Sequence, residues 1–141
     1  MPDLTPHLGS RHTWRCPVRR EHTVPALPLD VPMLAGMPEV LATPMLVAMA
    51  ECAAAAHLAA LLGPDTLSLG AEVQITHEAP TPVGLTMTVT TELVAAEGRL
   101  VTFAFTAHDG VEQAGNGRHT RALVGQERLA HILAAKRARA G

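Results

Sequence analysis

Aromatic side chains are nearly absent from this chain, which has one Trp, two Phe and no Tyr among 141 residues. A core without rings must be filled by Ala, Val, Leu and Met, and small side chains let backbones approach closely. Charge of one sign is lacking too. Eleven Lys and Arg stand against thirteen Asp and Glu, and the basic residues gather only at Arg11 to Arg20 and Lys136 to Arg139 without interleaved aromatics, so no nucleic-acid surface is expected. Cysteine is scarce: Cys16 and Cys52 have neither disulfide-scaffold density nor metal-ligand spacing, and they suit a reducing cytosol. The eight histidines are scattered, so no metal site is expected. No apolar leader and no lipidation motif is read, which makes the cytoplasm the expected location. The 48% hydrophobic content is enough for one domain to bury a core.

The segment Ala42 to Pro64, ATPMLVAMAECAAAAHLAALLGP, reads as one long buried helix. Thr43 is a good N-cap, Pro44 suits the first helical position, and Gly63 with Pro64 punctuates the end. Between Pro44 and Leu62 only Glu51 and His57 are not apolar, so the helix must be enclosed on all sides. A membrane span is disfavoured by the Ala content, the acid at mid-helix and the absence of aromatic or basic flanks. A carboxylate in such a helix loses hydration and needs a partner.

Residues 1–10 carry Pro2, Pro6 and Gly9 and read as a loose end, with a single domain over residues 11–141. His12 to Val24 gives a modest strand signal broken by Pro17, fitting an edge strand. Pro25 to Pro38 is an apolar loop with Met33, Leu34 and Met37, too rich in proline for regular structure and a candidate lid. Strand patterns follow. Val73, Ile75 and His77 share a face in Leu67 to Ala79, and Leu85, Met87 and Val89 share one in Gly84 to Ala95. After a Glu97-Gly98 hairpin signal, Val101, Phe103, Phe105 and Ala107 share a third. Val111 to Val124 holds Gly115 and Gly117, which predict a bulge or a close backbone approach, and a final helix runs from about Gln126 to Arg139. The order implies an α+β fold, an antiparallel sheet wrapped around the long helix with a short C-terminal helix. One small sheet cannot enclose that helix alone, so a homodimer is expected.

Three residues stand out as chemistry. On the helix, Thr43 and Glu51 lie about 80° apart and roughly two turns from each other, and His77 faces inward from the next strand. A buried acid and an inward histidine can form a charge-assisted pair that offsets desolvation. Taken singly, Thr43 is explained by capping, His77 by a core hydrogen bond and Glu51 by packing specificity. His57 reads as a satisfied histidine near the helix end.

The segments MPEVLATPMLVAMAE (Met37 to Glu51), LSLGAEVQITHEAPTPVGLTMTVTTEL (Leu67 to Leu93), EGR (Glu97 to Arg99) and AHDGVEQAGNGRHTRA (Ala107 to Ala122) resemble the hotdog-fold thioesterases, and within them the fluoroacetyl-CoA thioesterases. The resemblance implies a hotdog fold and hydrolysis of an acyl-CoA or related acyl-thioester to free acid and thiol. It implies a Thr, Glu and His trio at a dimer interface, matching Thr43, Glu51 and His77. Coenzyme A would enter only as part of the substrate, with no further cofactor. Glu51 would act as general base or as nucleophile, Thr43 and His77 would position it, and Gly70 would offer a backbone amide to the oxyanion. The lid phenylalanines of that family align with Leu34 and Met37, which implies a softer pocket for another short or medium acyl group. Arg118, Arg121 and the basic C-terminal helix are candidates for the CoA phosphates. Two other readings fit a hotdog domain, an enoyl-thioester hydratase or dehydratase and a non-catalytic acyl-thioester binding module. Free-thiol release separates both from a thioesterase.

Overall fold

The computed structural model describes residues 1–141. Five antiparallel strands, β1 (Arg11–Pro17), β2 (Thr66–His77), β3 (Thr86–Glu97), β4 (Leu100–His108) and β5 (Gln113–Gly125), lie in the spatial order β1-β3-β4-β5-β2. A single helical turn, α1 (Pro32–Ala35), precedes the central helix α2 (Thr43–Ala59), and α3 (Gln126–Ala140) ends the chain. The sheet curls around α2 as the hotdog resemblance implies. Alternation sets which side chains meet the helix: Met87, Val89, Thr91 and Leu93 of β3 and Val101, Phe103, Phe105 and Ala107 of β4 are all buried against it. Leu46, Met49, Ala50 and Ala53 fill one end of the core, and Ala54 and Leu58 the other. Each large apolar side chain fully buried there contributes about 1.5–3 kcal/mol.

The helix begins at Thr43, the expected cap, one residue earlier than the expected start at Pro44. Ala42 is the N-cap and its carbonyl accepts the first amides, so the Thr43 hydroxyl is not spent on capping. The far end closes at Ala59 rather than at Gly63: the Leu61 and Leu62 amides both bond back to the Leu58 carbonyl, and Gly63 has no left-handed φ. One flank of α2 stays uncovered, with Cys52 and Ala59 exposed and Glu51, Ala55 and Ala56 half-buried.

A bulge in β2 matters for everything that follows. Gly70 pairs with Arg121 but Glu72 pairs with Thr120, so one residue is inserted between them. The insertion reverses the inside-outside parity of the strand. Ser68 and Gly70 face the concave side before it, and Ile75 and His77 face the same side after it. Beyond the bulge, β2 and β5 approach very closely. A Cβ at Gly117 would fall 1.9 Å from the Gln74 carbonyl oxygen, and one at Gly115 would fall 2.9 Å from that of Thr76, so the sequence signal there was a close approach.

Other expectations shift in detail. The two-residue hairpin turn is Gly98-Arg99, with Gly98 at φ +59°, one residue later than expected. The Pro-rich segment contains α1 and a 3-10 turn at Val24–Ala26, because proline pre-sets the backbone for the first turn of a helix. Residues 1–10 are tied down rather than loose: Leu4 is buried against Ala54 and Leu58, and Gly9 and Ser10 exchange backbone bonds with Leu93. No helix is long and apolar enough to cross a membrane.

Candidate functional site

The sequence-predicted residues fall into two clusters on the concave face. In the first, the Thr43 Oγ1 at the start of α2 lies 2.8 Å from the His77 Nδ1 at the end of β2. The other ring nitrogen, Nε2, is buried and has no hydrogen-bond partner. A cavity of about 320 Å³ opens on this pair, lined by Val24, Val40, Leu41, Ala79 and Pro80 together with Glu78. Glu78 accepts bonds from the Gln113 and Asn116 side-chain amides, which hold its carboxyl below the usual carboxylate range.

The second cluster surrounds Glu51. Its carboxylate lies over Gly70, where a Cβ would fall only 2.7 Å from Oε1. A side chain at this position would push the carboxylate aside. Neither Thr43 nor His77 hydrogen-bonds Glu51, so the expected Glu51–His77 pair does not form within the chain. About two helical turns, ~12 Å, separate Thr43 from Glu51 along the axis.

Arg121 is buried beside Glu51 rather than offered at the surface. Its Nε donates to the Ser68 Oγ at 2.9 Å, Nη2 to the Ser68 carbonyl at 3.0 Å, and Nη1 to the His119 Nε2 at 3.0 Å. Burial pushes its pKa down from the ordinary value, while the charge of Glu51 acts the other way. Arg118 is exposed. His119 and Ser68 were missed by sequence reasoning. The signal was available for His119, which alternates with Gly115, Gly117 and Arg121 on a single strand and therefore shares their face.

His57 is satisfied, as its position near the helix end suggests: Nε2 lies 2.9 Å from the Ser10 Oγ and Nδ1 lies 2.9 Å from the Thr91 Oγ1. Burial first, then the neighbouring His12, lowers its pKa. Leu34 is half-buried and Met37 exposed on the segment before α2, beside the fully outward Met33. No three His, Cys, Asp or Glu side chains are grouped to hold a metal ion. The largest concavity, about 600 Å³ between Asp65 and the start of α3, is lined mainly by polar residues and touches none of these groups.

Residues 18–127 match the model of a family described as Fluoroacetyl-CoA-specific thioesterase. A fluoroacetyl-CoA thioesterase from Streptantibioticus cattleyicolor is 41% identical over 122 residues, covering 86% of this chain and 88% of that one. A solved structure of the fluoroacetyl-CoA thioesterase superposes with a TM-score of 0.87 at 40% identity, over 92% of this chain and 96% of that chain. A thioesterase superfamily member from Thermus thermophilus shares the fold at 20% identity, with a TM-score of 0.83 over 94% of this chain and 93% of the other.

Proposed function

This chain belongs to the family of fluoroacetyl-CoA-specific thioesterases and is a hydrolase of acyl-CoA thioesters, and we propose that Thr43, Glu51 and His77 carry the reaction in sites shared between two copies of the chain. The observation that carries the proposal is the buried, unpartnered Nε2 of His77, set against a Glu51 carboxylate that no side chain of its own chain bonds. Each cluster lacks what the other holds.

The β2 edge supports joining them. It has no neighbour on its outer side, and it exposes Leu67, Leu69 and Val73. An unpaired edge carrying apolar side chains is a template for another strand. Two β2 strands running antiparallel about an axis near Val73 and Gln74 bring Gly70 opposite the partner subunit's His77. Glu51 over Gly70 then faces a histidine with a free nitrogen, and the uncovered flank of α2 is closed. In this arrangement the Thr43 hydroxyl donates to Nδ1, which leaves the proton on Nε2 to meet the carboxylate.

Either the Glu51 carboxylate itself adds to the thioester carbonyl carbon, or it takes a proton from a water whose oxygen adds there. The carbonyl π pair moves onto oxygen, where the backbone amide of Gly70 and the nearby positive charge of Arg121 oppose it. Collapse breaks the C–S bond and the thiolate takes a proton, on the water route from the protonated Glu51 and on the direct route from solvent. On the direct route a water then hydrolyses the Glu51 acyl anhydride to free acid and restores the carboxylate. The 320 Å³ cavity beside Thr43 and His77 suits a short or medium acyl chain; Leu34 and Met37 do not line it, and Met37 borders a separate cavity with Thr23 and Ala26.

Mixing two inactive variants tests the shared site. Glu51→Gln and His77→Ala are each expected to lose free-thiol release, whereas their co-expressed mixture regains about a quarter of wild-type activity, because half the dimers are mixed and each has one intact site. A mixture as inactive as its parents, shown by mass spectrometry to contain mixed dimers, refutes the arrangement.

A further inference from the structure

Behind Glu51 lies a buried polar array that the trio does not use. His119, 1% exposed, places Nδ1 at 2.8 Å from the Glu72 carbonyl oxygen, which can only accept, so Nδ1 carries a proton. Arg121 Nη1, which can only donate, lies 3.0 Å from Nε2, so Nε2 must present a lone pair. The two contacts fix one neutral tautomer and exclude the imidazolium. Ser68 takes the other side of the guanidinium with its hydroxyl and its carbonyl. The His119 ring and the Glu51 carboxylate pack on the same glycine: a Cβ at Gly70 would fall 3.6 Å from the His119 Cε1 and 2.7 Å from the Glu51 Oε1.

We propose that His119 is a positioning residue for thioester hydrolysis, which as the neutral Nδ1–H tautomer accepts from Arg121 and holds the guanidinium as the fixed counter-charge to Glu51. The inference rests on Glu51 being the reacting carboxylate. A buried guanidinium needs acceptors, and the usual acceptor is a carboxylate, which would also cancel its charge. Here every acceptor bonded to Arg121 is uncharged: an imidazole, a hydroxyl and a carbonyl. The positive charge is therefore left for Glu51 and for negative charge developing on the substrate.

The groups around His119 agree with a neutral ring. Arg121 faces it from β5, the Glu72 carbonyl from β2 and Glu51 from α2, while its partner on β4 is the apolar Phe103. Burial, reinforced by Arg121, holds its pKa below the ordinary histidine value against the opposing effects of Glu72 and Glu51.

Three substitutions test the role. His119→Leu removes the acceptor and is expected to lower kcat by about tenfold or more while KM moves by no more than about threefold. His119→Glu supplies a charged acceptor that turns Arg121 away from Glu51, and the same loss is expected. His119→Gln, whose amide can both accept from Arg121 and donate to Glu72, restores most of kcat. Imidazole ¹⁵N shifts of the wild-type protein at neutral pH should report the Nδ1–H tautomer whatever the activity. Wild-type kcat in folded His119→Leu overturns the proposal, as does an Nε2–H or doubly protonated ring. If His119→Leu does not fold, His119→Glu decides in the same way. Full activity in Glu51→Gln would instead overturn the reading of Glu51 on which this rests.

Discussion

Gly70→Ala isolates the seat of Glu51 from the stability of the fold. The backbone at Gly70 has no positive φ, so alanine can occupy it without strain. What the new methyl meets is a carboxylate oxygen at 2.7 Å and its carbon at 3.4 Å. To restore an ordinary contact of 3.4 Å, the carboxylate must retreat by roughly 0.7 Å, and the end of a Glu side chain does so by rotating. Overpacking costs about 1–3 kcal/mol in a rigid core, less where a side-chain end can yield, and the lost freedom of the unfolded chain returns about 0.4–1 kcal/mol. The net change in stability is therefore about 2 kcal/mol or less. Catalysis is less forgiving. Misplacing a reacting group by ~1 Å costs on the order of a hundredfold in rate, so kcat should fall by about 10- to 100-fold. The assay is release of free thiol at saturating acyl-CoA, with a thermal melt on the same preparation. A folded Gly70→Ala protein with kcat within about twofold of wild type refutes the idea that Gly70 sets the position of Glu51.

Gly117→Ala makes the opposite case, since its methyl would meet backbone, the Gln74 carbonyl oxygen at 1.9 Å, and backbone paired in a sheet cannot retreat. Loss of soluble folded protein or a large fall in Tm is expected, and a wild-type melt contradicts the register of β2 on β5. Stability should also depend on pH through His57 and His119, whose folded pKa values lie below the unfolded value near 6.5. The unfolded chain then binds more protons, so stability is full above about pH 6.5 and is lost as pH falls towards the folded values. Tm should decline between about pH 7.5 and 5.5, and His57→Gln, able to bond both Ser10 and Thr91, should flatten part of that decline. A Tm that is flat in the wild type across this range argues against both shifts.

The sequence carried the architecture because its signals were local. Alternation of Val101, Phe103, Phe105 and Ala107 assigns a buried face whatever lies beyond it, and an apolar helix with proline at its start leaves little choice of core element. It also singled out Thr43 as a helix cap, and Glu51 and His77 as polar groups where the pattern demands apolar ones. What it could not supply was their pairing. The Thr43 hydroxyl bonds His77 because Ala42 takes the cap, a difference of one residue that helix patterns do not resolve. Glu51 meets Gly70 and Arg121 through the β2–β5 register, which depends on contacts distant in sequence. The docked N-terminus was missed for a similar reason: Leu4 alone gives no periodicity, and its burial is set by Leu58 and Leu93.

The inserted residue in β2 has a consequence for how this sequence can vary. Ser68 and Gly70 on one side of it, and Ile75 and His77 on the other, share a face only because the strand changes phase once between them. The spacing from Gly70 to His77 therefore works as a ruler that admits one length. Removing or adding a single residue there would leave composition, charge and hydrophobic pattern almost untouched while turning either the histidine or the seat of the carboxylate to the outer face. Substitutions along this stretch can be absorbed one side chain at a time, but a change in its length cannot.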